Sequence, residues 1–190
     1  MSEATRMLPA TPGQTIGPFF HYALPYERDH ELVPPATPGA IRLHGTVYDG
    51  DGSPVPDAML EIRQADPTGT IPEVEGSLRR DGTVFTGWGR ADTDTAGRYS
   101  FTTVEPGPTR GSGAPFFSIV VFARGLTNRL FTRAYLPGTD VDDDATLAHL
   151  DPAERQSMLT VRQSDGSLRF DVHLQGPRET VFLTFPGHQA

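Results

Sequence analysis

Residues 116–122, Phe-Phe-Ser-Ile-Val-Val-Phe, are the stretch that decides the fold. The run is almost continuously apolar and rich in β-branched and aromatic residues, which predicts a central strand covered on both faces. Residues 130–136 follow after a short connection, and we expect them to form its neighbour in the sheet.

Away from this strand, apolar residues alternate with polar ones at the period of two that is typical of half-buried strands. Tyr99, Phe101 and Thr103, for example, share one face of a predicted strand. Further strands are predicted at 41–47, 59–62, 84–88, 99–104, 159–162, 168–174 and 181–185. About eight strands separated by turns indicate an all-β fold, a β-sandwich or a barrel. Asp151-Pro152-Ala153-Glu154 has a capping-box pattern and predicts one short helix.

The composition excludes several classes of function. The chain has 190 residues, no cysteine and a formal net charge of −8. Without cysteine there are no disulfides, thiolate metal sites or cysteine nucleophiles, which is typical of the reducing cytoplasm. The acidic balance argues against nucleic acid as a partner. No apolar run is long enough to span a membrane, so we expect no membrane partner either. We therefore expect a cytoplasmic protein.

The chain divides into an arm, residues 1–40, and a β-sandwich domain, residues 41–190. The arm is rich in proline, which favours extended backbone. It also carries Phe19, Phe20, Tyr22 and Tyr26, too much aromatic surface to leave in water. From the residues alone, we expect the arm to pack on this chain or on another one.

Few residues point to chemistry directly. The six histidines show neither His-x-His nor His-x3-His spacing, so the sequence predicts no local metal site. The acidic run that begins at Asp140 and continues through Asp142-Asp143-Asp144 is expected to be a solvated loop. Arg124 follows the most apolar strand, where its guanidinium could recognise a carboxylate or simply pair with a neighbouring acid. Both roles remain open at this point.

Several segments resemble the intradiol ring-cleavage dioxygenases. They occur in the family's order and span most of the chain. The segments are 11–18 (Thr-Pro-Gly-Gln-Thr-Ile-Gly-Pro), 45–50 (Gly-Thr-Val-Tyr-Asp-Gly), 60–66 (Leu-Glu-Ile-Arg-Gln-Ala-Asp), 97–101 (Gly-Arg-Tyr-Ser-Phe), 121–125 (Val-Phe-Ala-Arg-Gly) and 176–182 (Gly-Pro-Arg-Glu-Thr-Val-Phe). The resemblance implies a β-sandwich of the intradiol dioxygenase type with an extended N-terminal arm and a short helix.

The resemblance also implies that this chain cannot hold the family's metal. Catalytic chains of the family bind Fe(III) through two tyrosines and a His-x-His pair. Here the matching positions are Ile71, Thr109, Phe116 and Ser118. Isoleucine and phenylalanine offer a hard ferric ion no donor at all. We therefore expect no metal site and no catalytic residue in this chain, and Fe(III) held instead by a homologous beta chain.

Some members of the family are built from two different chains, and the resemblance to these members implies a role for a chain that holds no metal. Thr15, Gly17, Pro18 and Arg124 match positions that line the substrate pocket of the iron-bearing partner. The family has a tyrosine where Phe19 stands. The arm is then expected to pack on the partner, in a higher αβ oligomer.

The resemblance finally implies the reaction. The small aromatic substrate is protocatechuate, which O2 opens between its hydroxyls to give 3-carboxy-cis,cis-muconate. Two alternatives remain open at the level of the sequence: a non-enzymatic β-sandwich binding or scaffolding module, and a self-sufficient dioxygenase with relocated ligands.

Overall fold

The computed structural model describes residues 15, 23–74, 84–110, 113–142 and 144–185. In these ranges the elements are strands β1 (Ala40–Tyr48), β2 (Ala58–Arg63), β3 (Trp88–Asp92), β4 (Arg98–Val104), β5 (Phe116–Ala123) and β6 (Leu130–Tyr135), a 3₁₀ turn (Ala145–Leu147), helix α1 (Pro152–Ser157), and strands β7 (Val161–Arg162), β8 (Leu168–Arg169) and β9 (Val172–His173).

Two sheets form a sandwich, which confirms the predicted fold class. One sheet has the order β4-β1-β8-β7, with β9 also paired to β1, and the other has the order β3-β2-β5-β6. The long pairs β1–β4, β2–β3, β2–β5 and β5–β6 are antiparallel. β5 therefore lies inside its sheet next to β6, as predicted.

The period-two residues form the core between the sheets. Leu43, Phe101, Phe117 and Ile119 have no exposed surface, and burying each such side chain stabilises the fold by about 1.5–3 kcal/mol. Leu32, in the arm, also joins this core, and its backbone N–H donates to the carbonyl of Thr102. The described residues 23–39 thus lie against this chain's own sandwich, while packing of the arm on a partner stays a prediction.

The capped helix is confirmed. Asp151 accepts a hydrogen bond from the backbone N–H of Glu154, the Glu154 carboxylate accepts one from Asp151, and Pro152 begins the helix. This capping box satisfies donors that a helix of six residues otherwise leaves unpaired.

Three predictions about strands are wrong, and a fourth, the strand predicted at 168–174, is divided into β8 and β9, which both pair with β1. The strand predicted at 84–88 instead runs from Trp88 to Asp92, because Gly87 has a φ of 65° that interrupts the extended backbone. Residues 181–185 form no strand. There Leu183 N–H donates to the carbonyl of Phe131, but the Val181 carbonyl accepts from the side chain of Thr132, so no ladder develops.

The third wrong prediction is that β5 is covered on both faces. In this chain β5 is fully covered on one face only. Its residues alternate between buried and half-buried, and Ser118 and Val120 face a shallow groove of about 330 Å³ on the outer face of the sheet. Trp88 and Phe131 form walls of this groove. The outer face of the four-stranded sheet is therefore open beside Ser118 and Val120 in the single chain, whereas a second core cluster that includes Tyr135, Leu147 and Met158 covers it beside Phe116.

Candidate functional site

The end of β5 carries the first group of predicted site residues. β5 ends at Ala123, and Arg124 and Gly125 follow in a turn where Gly125 has a φ of 94°. The backbone N–H of Gly125 donates to Oγ1 of Thr15 at 2.8 Å. Thr15 and Arg124 are therefore neighbours, as expected of residues that line one pocket. Gly17 and Pro18 lie outside the described residues.

Arg124 is exposed but held in place. Its Nε lies 2.9 Å from Oδ2 of Asp57, and 61% of its side chain is accessible to solvent. Asp57, which sequence analysis missed, stands immediately before β2 and is mostly buried. The carboxylate thus fixes the direction of a guanidinium that still faces outward, and a planar guanidinium of this kind suits a carboxylate ligand.

The start of β5 carries two of the four positions that correspond to metal ligands in the family. Phe117 and Ile119 point into the core, so Phe116 and Ser118 point outward from the same face of the sheet. Both are half-buried.

The other two positions, Ile71 and Thr109, lie in loops that touch each other. A Cβ on Gly69 would lie 2.1 Å from the carbonyl oxygen of Pro108, so the two loops can pack this closely only because residue 69 is glycine. Ile71 is half-exposed and Thr109 is partly buried.

A cation lies over the outward face of β5. The guanidinium carbon of Arg133, on β6, is 4.1 Å from the centre of the Phe116 ring. One of its nitrogens donates to Asp144 Oδ2 at 2.9 Å and to the hydroxyl of Tyr135 at 3.1 Å. Ser118 pairs directly with Arg133 in the β5–β6 register. The outer face of the sheet therefore carries a fixed positive charge.

Asp144 is buried, not solvated, which corrects the expectation for this member of the acidic run, whereas Asp140 and Asp142 are exposed as predicted. Only 2% of its side chain is exposed. Burial by itself would raise the pKa of this carboxyl, but hydrogen bonds from Tyr135 and Thr146 and the charge of Arg133 hold the pKa below its ordinary value. Burial raises the pKa of Tyr135, whose hydroxyl keeps its proton and donates to Asp144.

The four positions do not fit a ferric ion. Ferric iron prefers anionic oxygen and imidazole ligands, whereas Ile71 and Phe116 offer no donor atom, Thr109 and Ser118 offer only neutral hydroxyls, and Arg133 adds a positive charge. Among the residues that the structure describes, no three histidine, aspartate or glutamate side chains form a group able to hold a metal.

No helix in the described ranges is long and apolar enough to cross a membrane.

The two groups of residues lie at opposite ends of one strand. Phe116 begins β5 and Arg124 directly follows its end, so eight residue steps of about 3.3 Å each separate the two residues by roughly 26 Å. Arg124 and Thr15 therefore cannot line a pocket around positions 116 and 118 of the same chain.

Comparison with known proteins identifies the family of this chain. Residues 16–123, more than half of the chain, match the family model described as Dioxygenase. The chain is 36% identical over 199 residues to the protocatechuate 3,4-dioxygenase alpha chain of Burkholderia cepacia, with 93% of this chain and 98% of the relative covered. The chain belongs to the intradiol dioxygenase family. The family is iron-dependent.

This member of the intradiol dioxygenase family is similar to a beta chain as well as to an alpha chain. It is 30% identical over 123 residues to the protocatechuate 3,4-dioxygenase beta chain of Burkholderia cepacia, covering 58% of this chain and 52% of the relative. Among solved structures, it matches the dioxygenase domain of a carbohydrate-binding fusion protein from Streptomyces sp. SirexAA-E with a TM-score of 0.59 and 26% identity, over 88% of this chain and 99% of that one. The resemblance read from the sequence is confirmed.

Sequence analysis did not find the group of hydrogen-bonded polar residues that shapes the site. Arg133, Tyr135 and Asp144 come together only through the β5–β6 register and the 3₁₀ turn that Asp144 caps. The one sequence signal was Asp144 two residues before Thr146, a spacing that permits an N-cap.

Proposed function

We propose that this chain is the metal-free subunit of a protocatechuate 3,4-dioxygenase, where it completes the substrate pocket of a homologous beta chain that holds Fe(III). The assembled enzyme opens protocatechuate between its two hydroxyls with O2 and gives 3-carboxy-cis,cis-muconate, with both oxygen atoms kept in the product. The relatives named alpha chain and beta chain support this assignment.

The observation that carries the proposal is the separation along β5. Residues that resemble the pocket lining lie at one end of the strand, and positions that correspond to metal ligands lie at the other. A pocket that used both groups would need two chains, one to supply the rim and one to supply the metal.

Arg124 supplies charge to that pocket. The substrate carries a ring carboxylate, and a guanidinium recognises a carboxylate through two parallel N–H donors. Asp57 holds Arg124 by its Nε, which orients the guanidinium before substrate binds and lowers the entropy lost on binding.

Thr15 lies at the same rim. Its hydroxyl accepts a hydrogen bond from the backbone N–H of Gly125, directly after Arg124, so Thr15 lies beside the turn that carries the guanidinium. Gly17 and Pro18 follow within three residues and are proposed to present rigid backbone to the substrate.

The location and assembly follow from the same proposal. We place the enzyme in the cytoplasm, which agrees with a chain that has no cysteine, and we expect several αβ pairs to form one particle. Neither nucleic acid nor a membrane is a partner in this scheme.

An oxygen-uptake assay tests the proposal. This chain, a beta chain from the same organism, and the two expressed together are each given protocatechuate in an oxygen electrode. We expect rapid uptake, with one O2 consumed per substrate, only from the co-expressed pair. Rapid uptake by this chain alone, or a beta chain that is equally active without it, would refute the assignment. A failure of the two chains to associate would favour a scaffolding module instead.

A further inference from the structure

Arg133 is held more firmly than a surface arginine. Its side chain is only 15% exposed, and its partner Asp144 is 2% exposed. Tyr135, with no exposed surface, bonds to both of them. If Arg133 turned away, a buried carboxylate would lose its counter-charge, which is strongly unfavourable. The guanidinium is therefore fixed in position.

That position is where the side chains of residues 116 and 118 meet. These two residues point out of the same face of β5, and Arg133 is paired with Ser118 across the ladder while its guanidinium covers the Phe116 ring. Two side chains in an i, i+2 relation on a strand are neighbours on one face. Any ion bound between them would lie against the guanidinium.

We infer that Arg133, held by Asp144 and Tyr135, takes the place of a metal cation on the outer face of β5 and excludes metal from it, so that the loss of ligands at positions 116 and 118 is not the only barrier to metal binding. We choose these two positions because of the proposed function, on which the inference rests. The physical claim concerns this chain alone.

The reasoning is electrostatic and steric. A divalent or trivalent cation within a few ångströms of a fixed guanidinium is repelled, and the repulsion is greater at a half-buried site than in water. Asp144 cannot offset it, because its carboxylate is already bonded to Arg133, Tyr135 and the N–H of Thr146. The ion pair is neutral overall, but its guanidinium is the part that lies against Phe116, so an ion bound at residues 116 and 118 would meet the positive end of the pair.

Restoring imidazoles tests the inference. The full chain carrying Phe116→His and Ser118→His is titrated with Zn²⁺ in a calorimeter, with and without Arg133→Gln. Paired imidazoles on one strand face are good Zn²⁺ ligands. We expect binding to be at least about tenfold tighter once Arg133 is replaced. Equal affinity in both backgrounds, including no binding by either, would overturn the inference.

Arg63 provides the matched control. It flanks Ser118 from the opposite strand, β2, and its guanidinium donates to the carbonyl of Pro72. Arg63 and Arg133 are both paired with Ser118, one on each neighbouring strand. Replacing Arg63 by glutamine therefore removes one positive charge from the equivalent position on the other side of Ser118. We expect this change to improve Zn²⁺ binding much less than Arg133→Gln does, and an equal improvement would mean that net charge alone decides binding.

A second variant protects the test against misfolding. Arg133→Gln leaves Asp144 buried without a cation, so we combine it with Asp144→Asn, which removes both charges at once. Circular dichroism checks folding, and the same gain in Zn²⁺ affinity is expected in this double replacement. Because the titration needs neither a partner nor a substrate, a negative result leaves the proposed function standing, and a failed oxygen-uptake assay leaves this inference standing.

Discussion

Replacing Arg124 by alanine separates recognition of the substrate from stability of the fold. The ion pair with Asp57 is exposed on the arginine side, at 61%, and such pairs stabilise a protein by at most about 1 kcal/mol. In the assembled enzyme, by contrast, a charge-assisted hydrogen bond to the substrate carboxylate is worth about 1.5–3 kcal/mol. We therefore expect kcat/KM for protocatechuate to fall roughly 10- to 150-fold, while the midpoint of thermal unfolding and the iron content stay nearly unchanged.

Steady-state oxygen uptake measures this effect, and two comparisons identify its cause. A catechol that lacks the ring carboxylate should be turned over equally by wild type and variant, because Arg124 has no anion to meet. Arg162, an exposed arginine paired with Glu105, is the matched control, and its replacement by alanine should change neither rate. Unchanged kcat/KM for protocatechuate, or an equal loss with both substrates, would remove Arg124 from carboxylate recognition.

Three further changes test the framework around the site. Tyr99→Phe leaves the buried carbonyl of Phe170 without its hydroxyl donor and should cost about 1–3 kcal/mol of unfolding free energy in urea; no change would show that the bond does not stabilise the fold. Gly69→Ala puts a Cβ against a neighbouring carbonyl at a φ of 86° and should lower the unfolding midpoint by several degrees, reflecting about 1–3 kcal/mol of strain; an unchanged midpoint contradicts the close packing of these loops. A hydrogen bond to Asp29 raises the pKa of His30, so its protonated form stabilises the fold fully below the ordinary pKa of 6.5 and this contribution is lost as pH rises through the raised pKa. His30→Gln should remove that loss of stability as pH rises above 6.5, and identical pH profiles would refute the assignment.

Local pattern predicted the sandwich well, because alternation and turns are properties of neighbouring residues. The strand around Tyr99, Phe101 and Thr103 and the capping box at Asp151 needed nothing from the rest of the chain. Gly87 shows the limit of the same reasoning. Its left-handed backbone shifts the start of β3, and the alternation of apolar residues alone does not report φ.

The candidate site depended on a different kind of information. The family resemblance selected Thr15 and Arg124, and the structure brings them together through Gly125. The family resemblance could not select Arg133 or Asp144, because their contact depends on which residues face each other across β5 and β6. A run of acids usually stays in water, and only the buried phenol of Tyr135 and the guanidinium make burial of Asp144 favourable.

The amount of iron in the assembled enzyme tests the central claim most directly. Metal analysis of the purified αβ complex, together with this chain purified alone, counts the sites without reference to activity. The account predicts one iron for each αβ pair and none in the isolated chain. Two irons per pair, or a coloured and stoichiometrically metallated chain on its own, would contradict it.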